Sequence, residues 1–198
     1  MNIIGITGGI GSGKTEVLKI FANDCDAYII EADSLAHQLM EPGEVIYRNV
    51  VEAFGTGILD ENKGIDRGKL GEIVFNDKEK LEVLNSISHP LVKESILEQI
   101  ENERKSGRQI FVIEAALLIQ DGYKDICDIM CYVYAKLDVR IERLCSYRGY
   151  TKERALNVIA SQPDEEFYEN NSDYIIDNSF DIETTKSNIN KIREKEGF

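Results

Sequence analysis

Apolar residues recur along this chain with two periods, and the alternation of those periods outlines a fold. Asn2-Ile3-Ile4-Gly5-Ile6-Thr7 is a short continuous apolar run, the pattern of a strand buried on both faces. Val17, Leu18, Ile20 and Phe21 then follow helical spacing, and Tyr28-Ile29-Ile30 reads as a second strand. Residues 41–107 break the alternation. Pro42-Gly43 marks a turn. Val45, Ile46, Val50, Val51 and Phe54 outline a helix that Gly55-Thr56-Gly57 ends, and Leu70, Ile73, Val74 and Phe75 outline another short one. A longer helix is expected after His89-Pro90, where Val92, Ile96 and Ile100 stand at i, i+4 and i+8. Strands return at Gln109–Glu114, Ile129–Tyr134 and Asp173–Asp177. Between the last two, a helix from Asp138 turns Val139, Ile141 and Leu144 inward, Gly149 ends it and Thr151 caps the next. The final helix, from Asp181 to about Lys195, has Ile182, Ile189 and Ile192 as its inner face. Five short parallel strands with helices between them make an α/β three-layer architecture. Residues 1–40 and 108–198 form its core, 138–165 a lid, and 41–107 a helical insertion.

Charge narrows the classes of partner. The net charge of −13 argues against a general nucleic-acid binder, which carries a basic footprint. Clustered cations then become informative, and Arg140, Arg143 and Arg148 fall on one expected helix. No apolar run approaches the roughly 20 residues of a membrane helix, and no basic-then-apolar leader precedes the first strand, so a soluble, cytoplasmic protein is expected. Cys25, Cys127, Cys131 and Cys145 form no C-x-x-C pair, and His37 and His89 are the only histidines. Free thiols in a reducing compartment are expected rather than a zinc site. A monomer or weak homo-oligomer is expected.

The chemistry centres on Gly8-Gly9-Ile10-Gly11-Ser12-Gly13-Lys14-Thr15, a full match to G-x-x-x-x-G-K-[ST] between a strand and a helix. Glycines let the backbone wrap phosphate oxygens and aim N–H groups at them, and the helix N-terminus adds its positive end. Gly9, Gly11, Ser12, Gly13, Lys14, Thr15 and Glu16 are thus candidate contacts for ATP. Lys14 is suited to the β- and γ-phosphates and Thr15 to Mg²⁺. The Glu16 carboxylate is expected to point outward. Asp33 falls past the carboxyl end of the second strand, where open α/β sheets bind ligands; it is a candidate base, a cap for a helix starting at Ser34, or both. Glu114 ends a buried strand as a Walker-B acid does, which makes it a candidate for the Mg²⁺ water shell, or simply an acid facing solvent. Arg67 and Lys69 are candidate phosphate contacts or solvated loop charges. His89 is a substrate contact or a local turn constraint. Arg143 and Arg148 suit a lid that closes over a transferring phosphoryl group, the other reading being solvated arginines paired with Glu142 or Asp138.

These residues together resemble the dephospho-coenzyme A kinases, end to end. The likeness is carried by Ile6 to Lys14, Glu31-Ala32-Asp33 with Ala36 and Leu39, Glu41-Pro42-Gly43, Ile65-Asp66-Arg67 and His89-Pro90-Leu91. It continues through Leu117-Leu118, Glu142-Arg143-Leu144 with Arg148, Gln162, and Ile176-Asp177-Asn178-Ser179. The resemblance implies a P-loop NTPase fold and transfer of the ATP γ-phosphoryl group to the ribose 3′-hydroxyl of dephospho-CoA. It implies Asp33 as the proton acceptor and Lys14, Arg143 and Arg148 as phosphate-handling groups. It also implies the insertion, with Arg67 and His89, as the acceptor site, and the turn at Asn178 near the adenine. Where the family shows Pro-Leu-Leu-Phe-Glu, this chain has Ala116-Leu117-Leu118-Ile119-Gln120, and Glu16 stands where a small hydroxyl residue is usual. The rival readings are another small-molecule or nucleotide kinase of this fold, and a nucleotide switch; the chain contains no N-K-x-D base-reading motif.

Overall fold

The computed structural model describes residues 1–115 and 117–198, and the chain divides into two compact units, Met1–Ile29 with Glu103–Phe198, and Ile30–Asn102. One crossing falls inside a strand and the other inside a helix.

The first unit is built on a five-stranded sheet of order β2-β3-β1-β4-β5. The strands are β1 (Asn2–Thr7), β2 (Tyr28–Glu31), β3 (Ile110–Glu114), β4 (Ile129–Tyr134) and β5 (Tyr174–Asp177). The pairs β1/β3, β1/β4 and β4/β5 are parallel, with Ile4 opposite both Val112 and Ile129. Central β1 is continuous with the glycine-rich loop, and the chain leaves it toward β2 on one side while β4 leads to β5 on the other. Such a parting of connections is where α/β sheets place ligands. The apolar runs are continuous because both faces are covered. Ile4, Ile6, Val112, Val133 and Ile176 pack with Phe21 of α1 (Lys14–Asp24) and Ile189 of α9 (Ile182–Glu196). Gly5 is a packing requirement: a Cβ there would come within 2.5 Å of Met130 Sδ. Two aspartates pin the register. Asp128, before β4, accepts from Ile3 N–H and donates its own N–H to the Ile3 carbonyl, both at 2.8 Å. Asp173, before β5, does the same with Met130.

The second unit is helical, with α2 (Ala32–Leu39), α3 (Val45–Phe54), α4 (Arg67–Asn76) and most of α5 (Lys78–Lys105) around Ile46, Val50, Ile58, Leu70, Val92 and Ile96. Asp66 caps α4 by accepting from Gly68 and Lys69 N–H. As expected, among the described residues 41–107 hold no strand, only the isolated bridge Leu59–Ile65.

Several expectations need correction. The helix expected after His89-Pro90 begins at Lys78 and runs through Pro90. An interior proline costs a hydrogen bond, on the order of 3 kcal/mol. Here burial of Ser88, Val92, Ile96 and Ile100 on one face offsets it. Phe75 is 90% exposed, so α4 buries Leu70 but not that end of its apolar set. Ile182 is exposed at the first turn of α9, and Thr185 fills the buried position instead. Helix α8 (Glu165–Asn170) was not expected; Tyr168 anchors it by stacking on Tyr132 at 5.0 Å. Asp33 is not a helix cap. Strand β2 runs straight into α2, Glu31 takes the cap position, and Asp33 sits exposed in the first turn. On α6 (Leu137–Arg148) the buried residues are Arg140 and Leu144, with Val139 and Ile141 half-buried. Among the described residues no helix is long and apolar enough to cross a membrane.

Candidate active site

Strand β1 ends at Thr7 and α1 starts at Lys14, so Gly8–Gly13 must reverse the chain tightly. It does so through left-handed backbone at Gly11 and Gly13, with φ 79 and 90. Side chains are excluded for a second reason: a Cβ on Gly8 would meet the Val133 carbonyl at 2.5 Å, and one on Gly13 would meet Asn178 Nδ2 at 2.2 Å. Gly13 caps α1 without a side-chain acceptor, which leaves the first-turn amides oriented for an anion. The Ser12 hydroxyl is buried with no hydrogen-bond partner, an unfilled polar position within the loop.

The loop's carbonyls point the other way and are held. Arg140 Nε donates to the Ile10 carbonyl at 2.9 Å. Arg143 Nη1 donates to the Ser12 carbonyl at 3.0 Å and Nη2 to the Asn178 carbonyl at 2.8 Å. Asn178 Nδ2 also donates to the Ser12 carbonyl, at 2.8 Å, and Asn178 Oδ1 accepts from Thr185 Oγ1 at 2.9 Å. The β4–α6 and β5–α9 segments thus grip the loop from behind. Asn178 is 4% exposed, and its side chain ties the loop carbonyl of Ser12 to Thr185 of α9. Arg143 is likewise bound to backbone rather than poised over the loop, while Arg148, the last residue of α6, is exposed.

Electrostatics favour a polyanion. Arg140 is 8% exposed, and among the described residues neither it nor Arg143 forms an ion pair. Two guanidinium charges set among neutral carbonyls, in a chain of net charge −13, are complementary to phosphate. Lys14 Nζ donates to the Gly8 carbonyl at 3.0 Å and pairs with Glu114 at 3.4 Å, both side chains largely buried. The strand-end acid is therefore beside the loop lysine, not facing open solvent. Thr15 and Glu16 are exposed on α1, and Glu16 pairs with Lys19 at 3.4 Å, outward as expected. Among the described residues no group of three His, Cys, Asp or Glu could hold a metal. The oxygens on hand, the Thr15 hydroxyl and the Glu114 carboxylate, suit Mg²⁺, which takes few protein ligands beside phosphate and water. The four cysteines are unpaired thiols.

The remaining candidates lie in the second unit. Arg67 opens α4 and is exposed, as is His89 within α5. Of the divergent stretch near Gln120, Ala116 lies outside the described residues, Leu118 is buried, and Leu117 and Gln120 are exposed. Spacing alone did not single out Arg140 or Gln162 as loop contacts, although the helical arginine cluster was a signal for the first.

A glycine loop between the central strand and a helix, gripped from behind and flanked by unmatched arginines, defines a phosphate-loop nucleotide-binding protein of the small-molecule kinase type. Comparisons agree. Residues 2–184 match the family model of dephospho-CoA kinase. A dephospho-CoA kinase from Carboxydothermus hydrogenoformans is 39% identical over 193 residues, 98% of this chain and 93% of its own. One from Aquifex aeolicus is 39% identical over 197 residues, 98% of this chain and 97% of its own. The solved dephospho-CoA kinase of Campylobacter jejuni has TM-score 0.72 at 28% identity, covering 98% of this chain and 96% of that one. A shikimate kinase from Bacteroides thetaiotaomicron, at TM-score 0.56 and 17% identity over 100% and 99% of the two chains, shows the shared fold alone. The chain belongs to the dephospho-CoA kinase family.

Proposed function

We infer that this protein transfers the γ-phosphoryl group of ATP to the ribose 3′-hydroxyl of dephospho-CoA, giving CoA and ADP, the last step of coenzyme A biosynthesis. The observation that carries this reading is the gripped phosphate loop in a chain matched to the family over residues 2–184. The acceptor oxygen forms the new P–O bond as the bond to the ADP leaving oxygen breaks. Asp33 takes the hydroxyl proton. A carboxylate is a weak base for a sugar hydroxyl, but the loose transition state lets the proton leave late, so positioning counts for more than basicity. Lys14 and the loop amides hold the ATP phosphates, Arg148 closes over the transferring group, and Arg143, anchored on the Ser12 and Asn178 carbonyls, adds its positive charge beside the loop. A bound Mg²⁺ would supply neutralisation of phosphate charge. Thr15 would ligate it, with Glu114 behind its water shell. Arg67 and His89 contact dephospho-CoA, and residues 138–165 act as a lid. The protein works in the cytoplasm as a monomer or weak homo-oligomer.

The test is ADP release from Mg-ATP with dephospho-CoA, set beside adenosine, AMP and gluconate as acceptors. Selective turnover with phosphate on the 3′-oxygen is expected. Turnover only with another acceptor would overturn the substrate assignment while keeping the kinase.

A further inference from the structure

Gln162 has no role in the mechanism above, yet it touches the phosphate loop. It follows α7 (Lys152–Ala160), and its Oε1 accepts from the Ile10 N–H at 2.7 Å and from Arg140 Nη2 at 3.3 Å. Ile10 is the second residue of a turn closed by Ser12 N–H to the Gly9 carbonyl at 3.2 Å, with Gly11 at φ 79 as in a type II turn. Such a turn does not use the N–H of its second residue, so that amide needs an acceptor from elsewhere. Gln162 supplies it. The carbonyl of the same residue is taken by Arg140 Nε. One crest residue of the loop is therefore held at both polar groups by two side chains that also bond each other. The bracket closes directly over Gly9, where a Cβ would lie 2.3 Å from Arg140 Nη2 and 3.1 Å from Gln162 Oε1.

We infer that Gln162 is a positioning residue for phosphoryl transfer: it fixes the Ile10 peptide and, through it, the aim of the Arg140 guanidinium at the loop crest. The inference rests on the phosphotransfer reading of this loop. The residue type fits the task. A carboxamide oxygen accepts from both donors at once without placing a negative charge beside bound phosphates. A carboxylate would keep the geometry and add repulsion. A thioether of the same length would keep the volume and lose the acceptor.

The experiment compares Gln162→Met and Gln162→Glu with the wild type by backbone amide exchange at Ile10 and by steady-state kinetics with Mg-ATP and dephospho-CoA. Gln162→Met is expected to speed Ile10 exchange at least about tenfold and to lower kcat about tenfold, since small misplacements of reacting groups cost one to two orders of magnitude. Its KM for dephospho-CoA should stay unchanged. Gln162→Glu should keep Ile10 protected and recover most of kcat at saturating ATP, with a raised KM for ATP. The inference is overturned by a Gln162→Met enzyme whose kcat is within twofold of wild type, by a slow one whose Ile10 exchange is unchanged, or by Gln162→Glu being as slow as Gln162→Met at saturating ATP. The exchange readout does not depend on the acceptor. A wild type inactive on dephospho-CoA would therefore count against the substrate assignment, and loss of Ile10 protection in Gln162→Met would still uphold the bracket.

Discussion

The two units differ in how they hold most of their candidate site residues. In the unit of the phosphate loop, Arg140, Arg143, Asn178 and Lys14 are tied by hydrogen bonds to the loop backbone. In the helical unit, Asp33, Arg67 and His89 stand exposed on the first turn of α2, the first turn of α4 and the middle of α5. The difference teaches that the same residue types do different physical work. Groups of the first kind hold a backbone shape, so their loss unsettles the fold as well as the rate. Groups of the second kind are not part of their unit's core, so their loss should alter turnover or affinity and leave stability alone.

The largest effects test the chemistry itself. Asp33→Asn should lower kcat by about 10³-fold or more, because positioning of the nucleophile is lost with its proton acceptor, while Mg-ATP still binds. Near-normal turnover would remove Asp33 from the mechanism. Lys14→Ala should cost a similar factor in kcat/KM for ATP with any acceptor. Next comes Arg148→Ala. An exposed helix-end arginine that serves a lid should, when removed, reduce kcat roughly 10- to 100-fold without moving Tm. A change in Tm alone would class it with the structural arginines. Asn178→Ala sharpens the contrast from the other side. It strips a donor from Ser12 and the partner from buried Thr185, so it should cost about 1–3 kcal/mol of stability in a denaturant titration, together with weaker ATP binding. Arg67→Ala should raise KM for dephospho-CoA several-fold at unchanged Tm.

The smallest effect concerns the thiols. Burial pushes the Cys127 thiol up from 9.0 to about 12 and raises Cys131 as well. Both should resist iodoacetamide at pH 8, which reacts with thiolates. Between about pH 9 and about 12 an unfolded Cys127 ionises while the folded one keeps its proton, so stability falls as pH rises across that window and is intact below it. Rapid labelling of Cys127 in the native protein at pH 8 would contradict that burial.

What sequence reading made legible here was local. The loop signature, its strand and helix, and all five strand cores could be read because each depends on a few adjacent residues. The Asp128 and Asp173 clamps, the Arg140 contact with Ile10 and the Asn178 contact with Ser12 could not, because each joins positions far apart in the chain. Helical spacing treats an arginine as a surface residue, and Arg140 is buried because loop carbonyls solvate its charge. Pro90 was read as a helix start because its local penalty is plain, whereas the burial that outweighs it is tertiary. The acid Glu114 was found by position, while its partner Lys14 was visible only in three dimensions.

The placing of β1 has a consequence for how the chain is made. Strand β1 ends at Thr7, but its two partners begin at Ile110 and Ile129, roughly a hundred residues later. At about 5–20 residues per second, a ribosome needs on the order of ten seconds to supply them. During that interval the whole helical unit, Ile30–Asn102, is synthesised as one uninterrupted segment. It can gather its core while β1, a strand with buried residues Ile3 to Thr7, still waits for the partners on either side of it.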